Sequence, residues 1–236
     1  MPEHPAFERQ QLPDEVATYV RHMILSGTVR TGQFLRIERI AEAVGVSTTP
    51  VREGLLKLHS EGFVEAAPRR GYVVAPFTEQ DVRDLFWAHA RLAGELASRA
   101  AENITPTAID ELETILHDHQ KAISRGGVDD IAALRHDFHR KIIVTAGSPR
   151  IARLLDSVAA NLPNFFDARP DTHQSTTHET RLLDALHKRD AALAKTLMET
   201  HTLARADHMI AELDRRGLWN NGCHPAAEVD YSRNIA

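Results

Sequence analysis

The 236-residue sequence has a single cysteine, Cys223. One cysteine cannot form a disulfide within the chain, which excludes a disulfide-stabilised secreted scaffold and favours a cytoplasmic location. The sequence also lacks a basic-then-apolar leader and any apolar run of about 18 residues, the length that spans a bilayer. We therefore expect a protein with no membrane partner.

The front of the chain has no excess of acidic residues over basic ones. The net charge is −5, yet residues 1–75 hold nine Lys/Arg and nine Asp/Glu, against 19 and 24 in the remainder. Residues 28–75 alone are mildly positive, with seven basic and five acidic side chains. The acidity therefore belongs to the C-terminal part.

Short helices are indicated in the front third of the chain. Residues 12–27 carry apolar side chains at helical spacing, with Asp14 as the expected N-cap and Gly27 as the expected stop. Residues 36–45 form a second amphipathic pattern, and Ser47 can then cap a third helix. Three short helices close together are typical of a helix-turn-helix module.

Two alternating segments follow the third helix. "FVEAA" and "GYVVA" flank "PRR", which predicts a two-stranded hairpin. Three helices and a hairpin form a winged helix-turn-helix, in which the helix after the turn enters the major groove. The residues predicted to contact bases or phosphates are Ser47, Thr48, Thr49 and Arg52 on that helix and Arg69, Arg70 and Gly71 on the wing.

The stretch "GVSTTPVREGLLKLHSEGFVEAAPRRGYVV", residues 45–74, resembles the DNA-binding domain of GntR-type bacterial transcription regulators. The resemblance implies that the module binds a double-stranded, palindromic operator. Two positions depart from the family pattern. Thr48 stands where many members carry an arginine, and Leu56 stands where a polar residue is common, away from the buried stripe.

Strand signals are almost absent after residue 75. Thr78 and Asp81 form a capping-box pattern before a long helix, and apolar stripes then recur at helical spacing. The stripes are interrupted at 126–127, 147–149 and 188–190. This pattern predicts an all-α bundle of about six helices.

The expected fold is therefore mainly α, an N-terminal winged helix-turn-helix with a small β-hairpin wing followed by a C-terminal all-α bundle. We assign residues 1–75 to DNA binding and residues 76–216 to effector binding and dimerisation. Residues 217–236 have no sustained periodicity and are expected to form a flexible tail.

Three histidines stand out by position. If a helix containing His178 runs to about residue 188 and the next begins near 190, His178 and His201 fall at the same level of two antiparallel arms. His139 lies on a third helix, next to the inward Phe138. Three converging imidazoles suit zinc or nickel, and three unrelated histidines are the alternative.

"FHRKIIVTAGSPRI" and "HETRLLDALHKRDAALAKTLMETH" resemble the effector-binding domain of the FadR subfamily of GntR regulators. Many members bind a divalent metal with one Asp and three His, which map to His139, His178 and His201. Arg135 occupies the position of the family's Asp. The resemblance leaves two alternatives, a three-histidine metal site completed by water or ligand, or no metal with Arg135 as an anion contact.

Arg91 in "ARLAGELASRAA" matches an Arg–x–x–x–Glu pattern of the subfamily, with Glu95 as its second member. The resemblance implies that Arg91 points inward and binds a carboxylate through two hydrogen bonds. A surface ion pair between Arg91 and Glu95 is the alternative.

We expect a ligand-responsive transcription regulator, a homodimer and a repressor, whose effector is a small carboxylate. One alternative is a metal-free regulator that binds a long acyl ligand. Another is a metal-dependent hydrolase or lyase fused to a DNA-binding module. Because Asp137 faces away from the histidines and no other general base is evident, we do not expect an enzyme.

Overall fold

The structure is a computed structural model that describes residues 5–162 and 172–217. The chain divides into two compact units, Met1–Asp81 with Ile210–Ala236, and Val82–Met209. The first boundary falls a few residues after the one expected at 75, and the end of the last helix groups with the first unit. The flexible tail was predicted at 217–236, and residues 218–236 of it lie outside the described residues.

The described residues of the first unit include α1 (Pro5–Leu25), β1 (Phe34–Leu35), α2 (Ile37–Val44), α3 (Thr48–Ser60), β2 (Val64–Ala67) and β3 (Gly71–Val74). The strands form an antiparallel sheet of order β1-β3-β2, with Leu35 opposite Tyr72 and Val64 opposite Val74. The strand β1 was not predicted, because two residues cannot display alternation.

The predicted helix ends are partly confirmed. The helix α2 ends at Gly45, whose φ of +76° is the left-handed conformation that glycine adopts most readily. The prediction that Asp14 caps α1 is wrong, because α1 begins upstream at Pro5. The Asp14 carboxylate instead accepts a hydrogen bond from Lys57 on α3, at 2.7 Å.

The helix α3 packs closely against α1. Its inner face consists of Val51, Leu55 and Leu58, all with no exposed surface. Gly54 permits the close approach, since a Cβ at that position would lie 2.8 Å from the Pro13 carbonyl oxygen. The opposite face of α3 is therefore the exposed one.

The second unit is helical throughout its described residues, as predicted. The interruptions at 126–127, 147–149 and 188–190 each separate two helices. Its core contains Leu96, Leu112, Phe138, Ile142 and Leu182, each at most 1% exposed. The helices are α4 (Glu79–Asn103), α5 (Pro106–Arg125), α6 (Val128–Thr145), α7 (Pro149–Ala160), α8 (Thr172–His187) and α9 (Ala191–Arg215).

The predicted capping box opens α4. The Thr78 backbone N–H donates to Asp81 Oδ2 at 2.7 Å, and the Asp81 N–H donates to Thr78 Oγ1 at 3.2 Å. Within the described part of the chain, no helix is both long and apolar enough to cross a membrane.

Candidate functional site

The predicted base-reading residues lie on the exposed face of α3. Thr48, Thr49 and Arg52 are all exposed, and Ser47 occupies the N-cap position without a side-chain cap hydrogen bond. At roughly 100° per residue, Thr49 and Arg52 lie on the side opposite Val51 and its buried neighbours. The Ser47 hydroxyl, the threonine hydroxyls and the guanidinium are consequently open to a partner.

The two wing arginines have different local structures. The Arg70 guanidinium lies 4.6 Å from the centroid of the Phe34 ring, a cation–π contact that restrains it against β1. Arg69 has a φ of +63°, and Gly71, the third wing residue predicted to contact DNA, has a φ of +94°. Both arginines are exposed, so the wing presents two cations at its tip.

The three predicted histidines converge in the second unit. The ring of His178 on α8 stacks on the ring of His201 on α9. Their centroids are 3.9 Å apart, and their planes differ by 10°. The His139 ring on α6 lies 6.4 Å from that of His178 and 6.0 Å from that of His201. We call His139, His178 and His201 the histidine cluster.

The cluster is uncharged near neutral pH. Burial lowers the pKa of His201 to about 3, with further contributions from His178, Arg205 and Arg135. Burial and the Arg181 charge lower the pKa of His178 to about 4. Burial also holds the pKa of His139 well below its ordinary value. Each imidazole can therefore donate one hydrogen bond and accept another.

Sequence reasoning missed two members of this neighbourhood, His89 on α4 and Arg205 on α9. Burial and the Arg205 charge lower the pKa of His89 to about 4. Both residues lie on apolar stripes, which is the signal that could have identified them. His89 lies between the buried Phe86 and Ala93, and Arg205 lies four residues before the buried Met209. A polar residue on such a stripe is a candidate pocket residue.

Some buried nitrogen atoms near the cluster have no hydrogen-bond partner within the protein. These include His178 Nε2 and His89 Nδ1. Buried polar atoms are paired in the great majority of cases, by protein groups or by ordered water. These two nitrogen atoms are therefore available to hydrogen-bond a small polar molecule.

A buried histidine–glutamate pair lies between α5 and α8. His119 Nδ1 is 2.9 Å from Glu179 Oε2, and both side chains are 2% exposed, although the alignment is not that of a hydrogen bond. Burial, and then the Arg135 charge, lowers the pKa of His119. Arg135 thus acts electrostatically on this pair as well as on the histidine cluster.

The histidine cluster as placed does not fit a single divalent ion. A metal bound to an imidazole nitrogen lies in the plane of the ring, and the nearly parallel planes of His178 and His201 meet only far from both rings. In residues 5–162 and 172–217, no group of three or more His, Cys, Asp or Glu is placed to hold a metal. The neighbouring positive charges of Arg135 and Arg205 also disfavour a dication.

The two arginines predicted to bind ligand have different positions. Arg135 lies near the histidine cluster and is partly buried. The expected inward orientation of Arg91 is not observed, because Arg91 is half exposed and pairs with Glu199. The alternative Arg91–Glu95 pair is not formed either, since Glu95 pairs with Arg99 and Lys195.

Two family models match the chain in the order of the two units. The model described as "Bacterial regulatory proteins, gntR family" matches residues 12–74. The model described as "FCD domain" matches residues 84–204, about half of the chain. The chain belongs to the GntR family of bacterial regulatory proteins. This GntR protein is a DNA-binding transcription regulator with an FCD domain, and the matched families are regulators and not enzymes.

Known GntR relatives cover most of the protein. The transcriptional regulator McbR of Escherichia coli is 25% identical over 67% of this chain and 72% of its own. The E. coli transcriptional repressor RspR is 25% identical over 81% of this chain and 86% of its own. The solved structure of McbR has a TM-score of 0.58 at 24% identity, covering 87% of this chain and 98% of that one, which shows the shared fold.

Proposed function

We propose that this GntR protein is a ligand-responsive repressor of the FadR subfamily whose second unit binds a small carboxylate. The observation that carries the proposal is the convergence of three neutral histidines with Arg135 and Arg205 around buried nitrogen atoms that have no partner. The GntR match supplies the DNA-binding half of the function.

The chemistry of the histidine cluster favours an anion with hydrogen-bonding oxygens. Two guanidinium groups create a positive potential, and arginine retains its charge in proteins. His178 and His89 can donate to carboxylate oxygens through the nitrogen atoms that lack a partner. A buried carboxylate without such partners would be strongly disfavoured, which makes this neighbourhood the most suitable place for one.

The ligand acts on DNA affinity by stabilising one arrangement of a homodimer over another. A ligand shifts such an equilibrium only through a difference in affinity for the two states. A coupling of about 1–3 kcal/mol would change operator affinity roughly 5- to 150-fold. The relative RspR is a repressor, which supports the proposed direction of regulation.

Thermal-shift screening tests the pocket. Sugar acids, hydroxy acids, dicarboxylates and aromatic acids are tested against the parent, and a binding acid should raise the melting temperature because it binds the folded state. Arg135→Gln and His178→Gln should abolish the shift. Arg91→Ala, a change of a surface arginine, should retain it.

A gel-shift titration with and without the acid then tests the coupling to DNA. Hits confined to neutral molecules or long acyl thioesters, or an unchanged response in both pocket variants, would contradict the carboxylate assignment. For the direction of regulation, a reporter placed behind the operator should give higher expression when the gene is deleted.

The divalent metal, one of the two alternatives that the sequence resemblance leaves, stays a prediction. Metal analysis of protein purified without a polyhistidine tag tests it, before and after loading with zinc or nickel. About one ion per chain would require the imidazoles to reorient from their stacked arrangement. Acid binding that persists after chelation would support direct recognition by the arginines and histidines.

A further inference from the structure

The exposed face of α3 contains one large apolar side chain. Leu56 is 59% exposed, whereas Leu55 and Leu58 on the same helix have no exposed surface. At roughly 100° per residue, Leu56 lies only about 20° around the helix axis from Thr49. Leu56 is therefore at the centre of the exposed face and not at its edge.

The flanks of this face are occupied by contacts within the first unit. Lys57 on one side donates to Asp14 on α1 at 2.7 Å. His59 on the other side has its Nδ1 2.9 Å from the Val64 carbonyl oxygen in the wing. The surface that remains open along α3 is centred on Thr49, Arg52 and Leu56.

A helix-turn-helix protein inserts this surface into the major groove. Leu56 follows Arg52 by one helical turn, about 6 Å along the helix axis, and side chains one turn apart on a recognition helix reach neighbouring base pairs. The major-groove edge of DNA has one apolar group, the C5-methyl of thymine. Placing Leu56 against any other base edge would remove water from polar groups without replacing their hydrogen bonds.

We propose that Leu56 is a specificity-determining residue that selects a thymine through its methyl group, about one base pair from the pair contacted by Arg52. The contact is apolar, so it discriminates thymine from other bases without a hydrogen bond. This inference depends on DNA binding by α3 and is independent of the effector assigned to the second unit.

Replacement of single thymines by deoxyuridine in the bound DNA tests the contact directly, because deoxyuridine lacks only the methyl group. The preferred site is first selected from random duplex DNA with the full-length parent. Each thymine is then replaced in turn, and affinity is measured for the parent and for Leu56→Ala. One replacement should weaken the parent about fourfold, the effect of one buried methyl group, and leave Leu56→Ala unchanged.

Two further variants make the result specific to Leu56. Arg52→Ala should weaken binding to the selected site, and to each of its deoxyuridine versions, roughly 5- to 150-fold. The one sensitive thymine replacement should still weaken binding of this variant further. Ser60→Ala, an exposed change one turn beyond Leu56, should behave as the parent. Thermal unfolding should give the same midpoint for Leu56→Ala and the parent, since the side chain is exposed.

A selected site without thymine would overturn the proposal. The same conclusion would follow if every deoxyuridine replacement affected the parent and Leu56→Ala equally.

Discussion

Gly54 determines how closely α3 approaches α1. In an ordinary helix interior, Gly→Ala is stabilising by about 1 kcal/mol because alanine has the higher helix propensity. Here the added Cβ would lie 2.8 Å from Pro13 O and 2.9 Å from Val16 Cγ1. A backbone oxygen cannot move aside cheaply, so the contact outweighs the propensity.

We expect Gly54→Ala to lower the free energy of unfolding by about 1–3 kcal/mol, the usual cost of overpacking. Glu53→Ala, at the exposed neighbouring position, is the control and should differ little from the parent. Denaturant titration measures both. A stabilised Gly54→Ala protein would contradict the close approach of α1 and α3 at this glycine.

His89 should make stability depend on pH. Its pKa falls from 6.5 to about 4 on folding, so the unfolded chain binds a proton more readily than the folded one. The contribution of neutral His89 to the stability of the folded protein is therefore complete above pH 6.5, and it is lost as the pH falls towards 4. At pH 5 the loss from this residue is roughly 1–2 kcal/mol.

Melting temperatures measured from pH 7.5 to pH 4.5 test this prediction. His89→Gln should reduce the decrease on acidification, whereas His136→Gln, a change of an exposed histidine, should leave it as in the parent. Equal profiles for the parent and His89→Gln would contradict the assignment of a neutral, partly buried His89.

Among the structural elements, the wing places an exposed arginine, Arg69, at a strained backbone position. The Arg70 N–H donates to the Ala67 carbonyl at 3.0 Å, which closes a four-residue turn with Pro68 second and Arg69 third. The third position of such a turn, when its φ is positive, is usually occupied by glycine. An arginine at that position costs about 1 kcal/mol or more of backbone strain, which a glycine would relieve.

Arg69→Gly should therefore separate stability from function. The free energy of unfolding should stay the same or rise by up to about 1 kcal/mol. DNA affinity should fall. If Arg69 contacts a phosphate, the slope of the logarithm of the binding constant against the logarithm of the salt concentration should decrease in magnitude by about one. Lys121→Ala, a change of an exposed cation in the second unit, should alter neither quantity. Unchanged DNA affinity in Arg69→Gly would remove the wing tip from the interface.

Most elements could be predicted from the sequence because their signals are local. The glycine, proline and charged interruptions at 126–127, 147–149 and 188–190 each separate long apolar stripes, and all three breaks occur. The convergence of the histidine cluster also followed from counting residues on either side of one turn. In each of these cases a regular helix converts sequence spacing directly into position.

The remaining features depend on contacts between distant residues. Arg91 pairs with Glu199 rather than Glu95, and no local pattern specifies a partner on another helix. His89 and Arg205 come together only through the packing of α4 and α9. Asp14 resembles a helix cap in sequence, but its contact with Lys57 depends on how α3 lies across α1.

At the scale of the whole molecule, a surface on α4 and α9 is suited to self-association. Trp87 is 56% exposed and Leu203 is 37% exposed. Ion pairs lie one turn to either side, Arg83 with Asp207 at 2.6 Å and Arg91 with Glu199. The surface therefore combines an apolar centre with both signs of charge, which permits contact with an identical copy.

Light scattering coupled to size exclusion should give about twice the mass of one chain, and Trp87→Glu should shift the protein towards the monomer. A buried tryptophan is a frequent source of interface affinity, and a charge at its position opposes association. Leu154→Glu, at another exposed apolar position, is the control and should leave the dimer intact. A monomeric parent would contradict the dimer, whereas dissociation by Leu154→Glu alone would place the interface on α7.

The stacking of His178 on His201 also has a spectroscopic consequence. Each imidazole lies over the face of the other, so the ring current of one shields the carbon-bound protons of its partner. In a proton–carbon spectrum these signals should move upfield from those of the exposed histidines. A molecule that enters between or beside the rings would shift those resonances, so a mixture of metabolites could be searched for the effector before its chemical class is known.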